Sequence, residues 1–343
     1  AAMGVEHEAH VHAAGLMLDS HGRTIRDLRV SLTDRCNFRC VYCMEPDVRF
    51  APPGSLMAPD EIVRLVTLAE SLGVRKVRLT GGEPTLNPHL EQIIRDLRRA
   101  TRVELALITN AWRLDRATAR AWKAAGLDRV TISIDSLRHD RFARLTRSTS
   151  TPADVLAGVE ACIAEDLTPL KLNAVLLRGL NDDEAPDLAT LARTYDLEMR
   201  FIEYMPLDSA HAWDSAQVVT AAETRRAIHA RFPLIATDAD DASSTAVTYR
   251  FADGAPGRVG LIAPVSNPFC GACSRLRLTA DAKVRPCLFS TTEWDLMPLL
   301  RGGARDADLR RFLIDATWTK QAGHGISLDT FRQPERPMSA IGG

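Results

Sequence analysis

The chain is short of lysine, of aromatic residues, of net charge and of long apolar runs. Only five of its 43 basic residues are Lys, against 38 Arg; aromatics make 6% of the 343 residues, and the formal charge is −1. A charge so near zero excludes a global basic field for nucleic acid, so any anion site must be built locally. No stretch approaches the roughly 18 consecutive apolar residues of a membrane-spanning helix, and the opening AAMGVEHEAHVHAAGLMLDS has no basic region followed by a long apolar one. A cytoplasmic protein with no membrane partner is expected. Cysteine is sparse too, seven in all, and an odd, thin set excludes the dense pairing of small secreted domains. With 45% hydrophobic and 25% charged residues, what remains is an ordinary globular chain, long enough for about two domains.

Short β-rich runs at 28–32, 77–79, 103–108, 129–134, 170–177 and 199–202 alternate with helical periodicity, as in Ile62, Leu65, Val66, Leu68 and Ala69, or Ile93, Ile94 and Leu97. That alternation predicts an α/β fold with a parallel sheet. Gly73 and Gly126 fall where helix C-caps belong. Beyond residue 210 the pattern becomes irregular, with a polar acidic stretch at 238–244, short alternating runs and a last helix near 308–317. The chain therefore divides into a flexible leader over 1–20, a core over 21–210 and a smaller part over 211–343. His7, His10 and His12 show no period and read as leader, not as a metal site.

The cysteines fall as three, three and one. Cys36, Cys40 and Cys43 follow the first strand. Three thiolates can take three corners of a metal cluster or three positions around a tetrahedral ion. Structural zinc closes its shell with four ligands, and no fourth Cys or His stands at ligand spacing. A four-iron cluster on three Cys leaves one iron open for a small molecule. Cys270, Cys273 and Cys287 form a second set of three. It could be half a zinc ribbon, share a metal with the first set, or hold a second four-iron cluster, the reading that three ligands favour. Cys162, inside the helical run VLAGVEACIAE, reads as a core thiol.

Other residues gather at strand ends. Thr80-Gly81-Gly82-Glu83-Pro84 follows the second strand, where glycines let backbone approach a ligand and Glu83 offers an acceptor for a cation; alone it is also an ordinary turn. Strand alternation puts Arg275 and Arg277 on one face beside the second cysteine set, and Lys76 with Arg78 on another. Paired guanidinium forks suit phosphate oxygens, a solvated strand face being the alternative. Lysine is rare enough that Lys76, Lys171 and Lys283 draw notice in these segments.

The Cys-x3-Cys-x2-Cys loop, with Tyr42 before its last Cys and GGEP one strand later, resembles the radical S-adenosylmethionine (SAM) superfamily. Within it, DRCNFRCVYCM, VRLTGGEPTL, ISIDSLRHDRFARLTR, LKLNAVLLRGLNDDE, RFIEYMPLD, PFCGACSRLRLTADAKVRPCLF and the final Gly342-Gly343 are similar, over nearly the whole chain, to the GTP 3′,8-cyclase family of molybdenum cofactor biosynthesis. The resemblance implies an α/β fold: an incomplete TIM-type barrel of six parallel βα units with a smaller C-terminal cluster-binding part. It implies two 4Fe-4S clusters, one on Cys36, Cys40 and Cys43 and one on Cys270, Cys273 and Cys287, with SAM as the further cofactor. Tyr42, Gly81, Gly82, Glu83, Ser133 and Met205 would hold SAM. Arg29, Lys76, Arg78, Thr109, Lys171, Arg200, Arg275, Leu276 and Arg277 would hold GTP, and Arg275, Arg277, Gly342 and Gly343 would be catalytic. A cytoplasmic homodimer, an external electron donor and transfer of product to the next molybdopterin-pathway enzyme follow from the same resemblance. Two departures stand out: Asn87 where the family usually has Arg, and Met44-Glu45-Pro46 where it has Met-Pro-Glu. A peptide-modifying radical SAM protein, which typically carries more auxiliary cysteines, and a zinc-stabilised binding module are the competing readings.

Overall fold

Each predicted strand run forms a strand, and most of its apolar residues fall on one side. In the computed structural model, which describes residues 15–208, 210–238 and 243–343, these are β1 (Asp27–Ser31), β2 (Lys76–Thr80), β3 (Glu104–Thr109), β4 (Arg129–Ser133), β5 (Leu170–Leu176) and β6 (Glu198–Glu203). They pair in parallel in chain order. Leu28, Val30, Val77, Leu79, Leu105 and Leu107 are buried in the main core. Helices between the strands cover that apolar side: α1 (Pro59–Ser71), α2 (Leu90–Ala100), α3 (Arg116–Ala125), α4 (His139–Thr146), α5 (Pro152–Ala164) and α6 (Ala185–Tyr195). In α2, Leu90, Ile93, Ile94 and Leu97 are buried, a single stripe at helical spacing. In α5, Thr151 caps the N-terminus, with Asp154 reaching back to the Thr151 amide at 2.7 Å. Gly126 ends α3 with φ +105°, a conformation that favours glycine. Cys162 is fully buried in α5, as expected of a core thiol.

The C-terminal strands are β7 (Leu234–Ala236), β8 (Val247–Phe251), β9 (Arg258–Ile262), β10 (Arg275–Leu278), β11 (Lys283–Arg285) and β12 (Trp294–Asp295). They do not build a separate layer. β9 pairs in parallel with β6 and β10 in parallel with β1, so one sheet runs β12-β11-β10-β1-β2-β3-β4-β5-β6-β9-β8-β7. The break at residue 210 is therefore a change in sequence texture, across which the sheet continues on both edges. Helices α7 (Ala221–Arg231), α8 (Met297–Arg301), α9 (Asp306–Trp318) and α10 (Met338–Ile341) complete the α-helices among the described residues.

The leader expected over 1–20 is shorter in the structure. Met17 is fully buried, its amide donates to the Leu72 carbonyl at 3.0 Å, and Leu18 bridges Thr24. Residues 15–20 thus belong to the fold. Residues 1–14, with His7, His10 and His12, and residues 239–242 of the acidic stretch lie outside the described residues.

Candidate active site

A cavity of about 300 Å³ lies at the C-terminal ends of the parallel strands, lined by residues as far apart in the sheet as Arg275 of β10 and Ile262 of β9. The sheet curls around it as a partial barrel. Ligand sites of parallel α/β folds gather at that end. Closed barrels fill their interior with apolar layers, whereas here Arg29, Arg78, Asn173 and Arg200 face inward.

The first cysteine set stands on one wall. Cys36, Cys40 and Cys43 all line the cavity. The glycines of the turn after β2 serve this loop in a way the sequence reading did not foresee. A Cβ on Gly81 would lie 2.5 Å from the Thr33 carbonyl oxygen, and one on Gly82 2.3 Å from that of Arg35. The Gly82 and Glu83 amides donate to those two carbonyls at 2.7 Å each. So the glycines press the turn against the root of the cysteine loop. Glu83, expected to receive a cation, is 2% exposed and already accepts from Thr109 Oγ1 (2.7 Å), the Asn110 amide (2.8 Å), Thr85 Oγ1 (2.7 Å) and the Thr85 amide (3.2 Å). Its carboxylate buttresses the ends of β2 and β3. The Thr109 hydroxyl is committed to it. Asn87, the departure from the family pattern, ties the same turn to the end of β1 through the Leu32 carbonyl at 3.0 Å.

Tyr42, Ser133 and Met205 also line the cavity. The Tyr42 hydroxyl donates to Asp135 Oδ2 at 2.7 Å, and the Val175 amide donates to Asp135 Oδ1 at 2.9 Å. Burial pushes the Asp135 carboxyl up to about 6 against these hydrogen bonds. Burial also pushes Cys36 and Cys43 up to about 12, with Glu83 adding to the first and Cys36 to the second. Cys40 rises as well, from burial and then from Asp135.

The second set, Cys270, Cys273 and Cys287, lines the same cavity among cations. Arg275 donates to Cys273 Sγ at 3.3 Å and lies over the Phe269 ring, 5.0 Å from its centroid. Burial opposes ionisation of Cys273, but Arg275 and Lys320 outweigh it and hold the thiol at about 7. Within each set the thiols act on one another electrostatically. Three thiols in each set on one cavity match three corners of a four-iron cluster, whereas a structural zinc takes four ligands.

Between the two sets runs a row of guanidinium groups. Arg277, Arg29 and Arg78 are direct partners across β10, β1 and β2, with neighbouring strands about 4.8 Å apart. Arg277 is 5% exposed; burial, then Arg275, brings it down to about 9. Arg29 is depressed by burial, then by Arg277 and Arg78, and Arg78 chiefly by burial. The Nε atoms of Arg29 and Arg78 are buried without a partner, and such groups are costly unless a ligand takes them. Arg277 donates to the Gly342 carbonyl, and Gly343 lines the cavity. Gly342 has φ +89°, and a Cβ there would lie 2.7 Å from Thr80 Oγ1. The chain's last residues therefore enter the site, and position 342 must be glycine to do so.

Four expected residues stand apart from the cavity wall. Lys76 shares the face of Arg78, as alternation predicted, and Lys171 that of Asn173, but both lie one layer below the wall, about 6.6 Å along the strand. Lys76 pairs with Glu104 at 3.7 Å and Lys171 with Glu198 at 2.9 Å, while Arg129 and Arg200 close the same floor of ion pairs. Arg200 still reaches the cavity from this floor. Leu276 points the other way, into the core. Gly342 meets the site only through Arg277. The sequence reading missed Lys320, 3% exposed and cavity-lining, whose Nζ donates to the carbonyls of Arg275 (2.8 Å) and Pro286. The scarcity of lysine was the signal, but it drew notice to Lys283, which pairs with Asp295 instead.

Comparison with known proteins agrees with this geometry. Residues 30–192 match the model of the radical SAM superfamily, and residues 197–326 that of Molybdenum Cofactor Synthesis C. A GTP 3′,8-cyclase of Streptomyces coelicolor is 50% identical over 333 residues, covering 96% of this chain and 97% of its own. GTP 3′,8-cyclase 2 of Mycobacterium tuberculosis is 44% identical over 347 residues, covering 99% and 96%. Among solved structures, SuiB of Streptococcus suis shares the fold, with a TM-score of 0.63 over 89% of this chain and 69% of that one at 12% identity. The chain belongs to the GTP 3′,8-cyclase family of the radical SAM superfamily.

Proposed function

We propose that this protein converts GTP to 3′,8-cyclo-7,8-dihydro-GTP for molybdenum cofactor synthesis, using SAM and two 4Fe-4S clusters. The observation that carries the reading is the row Arg277, Arg29 and Arg78, with buried unpartnered nitrogens, between two three-thiol sets on one cavity. A triphosphate there would meet cations that repel one another across the strands. When bound, the clusters and SAM supply one-electron cleavage of SAM and abstraction of the ribose C3′ hydrogen by the resulting 5′-deoxyadenosyl radical.

The chain's own side chains bind and orient. Cys36, Cys40 and Cys43 would hold the first cluster, with Tyr42, Gly82, Ser133 and Met205 around SAM. Cys270, Cys273 and Cys287 would hold the second, whose open iron would face the guanine. Arg29, Arg78, Arg275 and Arg277 would fix the phosphates. Lys76, Lys171 and Arg200 would back them from the floor, holding the cationic wall in place. The tail, carried into the cavity at Gly343, would help exclude water from the radicals. The enzyme would work in the cytoplasm as a homodimer, take electrons from an external donor and pass its product to the next molybdopterin-pathway enzyme.

The test is anaerobic reconstitution to about eight irons per chain, two four-iron clusters, then incubation with SAM, dithionite and GTP and mass spectrometry of the products. The expected products are 5′-deoxyadenosine and the cyclised nucleotide. Release of 5′-deoxyadenosine with GTP left untouched would sink the substrate assignment.

A further inference from the structure

Beyond the cavity wall, a buried cation from the start of the chain reaches the back of the second cysteine set. Residues 17–25 form a small hairpin, with hydrogen bonds from Asp19 N to Arg23 O (3.0 Å) and from Ile25 N to Met17 O (2.8 Å). Asp19, 1% exposed, shapes its tip by accepting from the amides of His21 and Arg23, both at 2.9 Å. It also pairs with Arg23 Nε at 2.6 Å. Arg23 is 9% exposed, and its two terminal nitrogens donate to three main-chain carbonyls: Cys270 at 2.7 Å, Ala322 at 2.9 Å and Gln321 at 2.6 Å. One guanidinium thus joins the loop that carries Cys270 to the 320–324 segment that carries cavity-lining Lys320 and His324. Its partners lie up to 299 residues away in sequence.

We infer that Arg23, held by Asp19, is a positioning residue for the second cluster: it fixes Cys270 and the 320–324 segment and adds a buried positive charge behind that cluster. This rests on the reading that the second cysteine set holds a cluster. A fork aimed at three carbonyls at once cannot be replaced by lysine, whose single ammonium lacks that planar geometry. At the first set Arg39 plays a more exposed version of this part, donating to the Cys36 carbonyl at 2.6 Å and the Phe38 carbonyl at 2.9 Å, but there the carboxylates Glu83 and Asp135 also act on the thiols. A positive charge beside an iron–sulfur cluster favours its reduced form.

The experiment uses the full chain, reconstituted anaerobically, as Arg23→Met, Arg23→Lys and Asp19→Asn. Each cluster is titrated potentiometrically by electron paramagnetic resonance, and the KM for GTP and 5′-deoxyadenosine release are measured. Arg23→Met should move the second cluster's midpoint to a more negative potential, change its spectrum and raise the KM for GTP about tenfold, the usual size of an outer-shell effect. The first cluster's potential should stay in place. Arg23→Lys should restore the potential but not the KM, and Asp19→Asn should raise the KM with the charge intact. The inference fails if second-cluster spectrum, potential and KM stay at wild-type values in Arg23→Met and Asp19→Asn, or if both clusters shift equally. A wild-type protein that reconstitutes only one cluster would instead overturn the two-cluster reading, which the wild-type iron content reports separately.

Discussion

The two cysteine sets face one cavity and share a ligand count, yet the charges nearest Cys36 and Cys40 differ in sign from those nearest Cys273. Around Cys36, Cys40 and Cys43 burial pushes the thiols up, Glu83 and Asp135 add to it, and Arg39 offsets it only in part. In the second set burial still raises Cys270, but around Cys273 stand Arg275 and Lys320, and that thiol is held at about 7. On the proposed reading this difference would sort the two small molecules: SAM would bring a sulfonium and an ammonium to the carboxylate side, and GTP its phosphates to the arginine side.

The sharpest way to break this division is to remove one thiol from each set. Cys36→Ala should lower both 5′-deoxyadenosine release and GTP conversion by more than about 1,000-fold, as when one member of a unit is lost. Cys287→Ala should abolish GTP conversion but retain SAM cleavage. Equal loss of SAM cleavage in both variants would mean that the halves are not separable.

Thiol reactivity of the cluster-free protein sharpens the contrast next. At pH 7.5, Cys273, at about 7, should alkylate at least about 100-fold faster than Cys36 or Cys43, at about 12. Peptide mass spectrometry after a brief iodoacetamide pulse measures it, and uniform labelling would contradict the charge asymmetry.

Smaller effects follow on the cationic wall. Arg29→Gln or Arg277→Gln should raise the KM for GTP about 10- to 100-fold, the 1.5–3 kcal/mol of a charge-assisted hydrogen bond. Saturation kinetics should show kcat less affected; an unchanged KM would remove these residues from the phosphate site.

The smallest effect is on stability against pH in the cluster-free protein. The folded Cys273 pKa lies below its ordinary 9.0, so between pH 7 and 9 the unfolded chain binds more protons and this thiol makes stability rise with pH. Cys36 and Cys43 lie above 9.0, so between pH 9 and 12 they make stability fall. Cys273→Ser should remove a rise on the order of 1–2 kcal/mol, measured as the difference in urea unfolding from wild type. A slope unchanged by the substitution would count against the cationic surroundings.

Much of this was legible in the sequence because it rests on local pattern. Strand positions, Cys spacing and inward alternation are short-range, and the six predicted runs all became neighbouring parallel strands. Depth was not legible: alternation assigns Lys76 and Arg78 to the same face but cannot say that one is floor and the other wall. Nor could sequence tell that Gly81 and Gly82 face a neighbouring backbone, since the Thr33–Arg35 segment is brought there only by the fold. Lys320 and Arg23 were hidden for a related reason. Their partners are carbonyls, which every residue has, and sit at a distance that no motif spans.

The pairing of β1 with β10 has a consequence for how the protein is made. Asp27 sits opposite Arg275, so the partner of β1 on that side emerges roughly 250 residues later, about 12 to 50 s at ordinary synthesis rates. Through that interval the nascent chain carries an open strand edge beside Arg29 and Arg78. Those like charges are a natural guard against pairing with another chain. Binding the anion would then require the finished fold, and the same arginines would serve first as a shield and afterwards as a cradle.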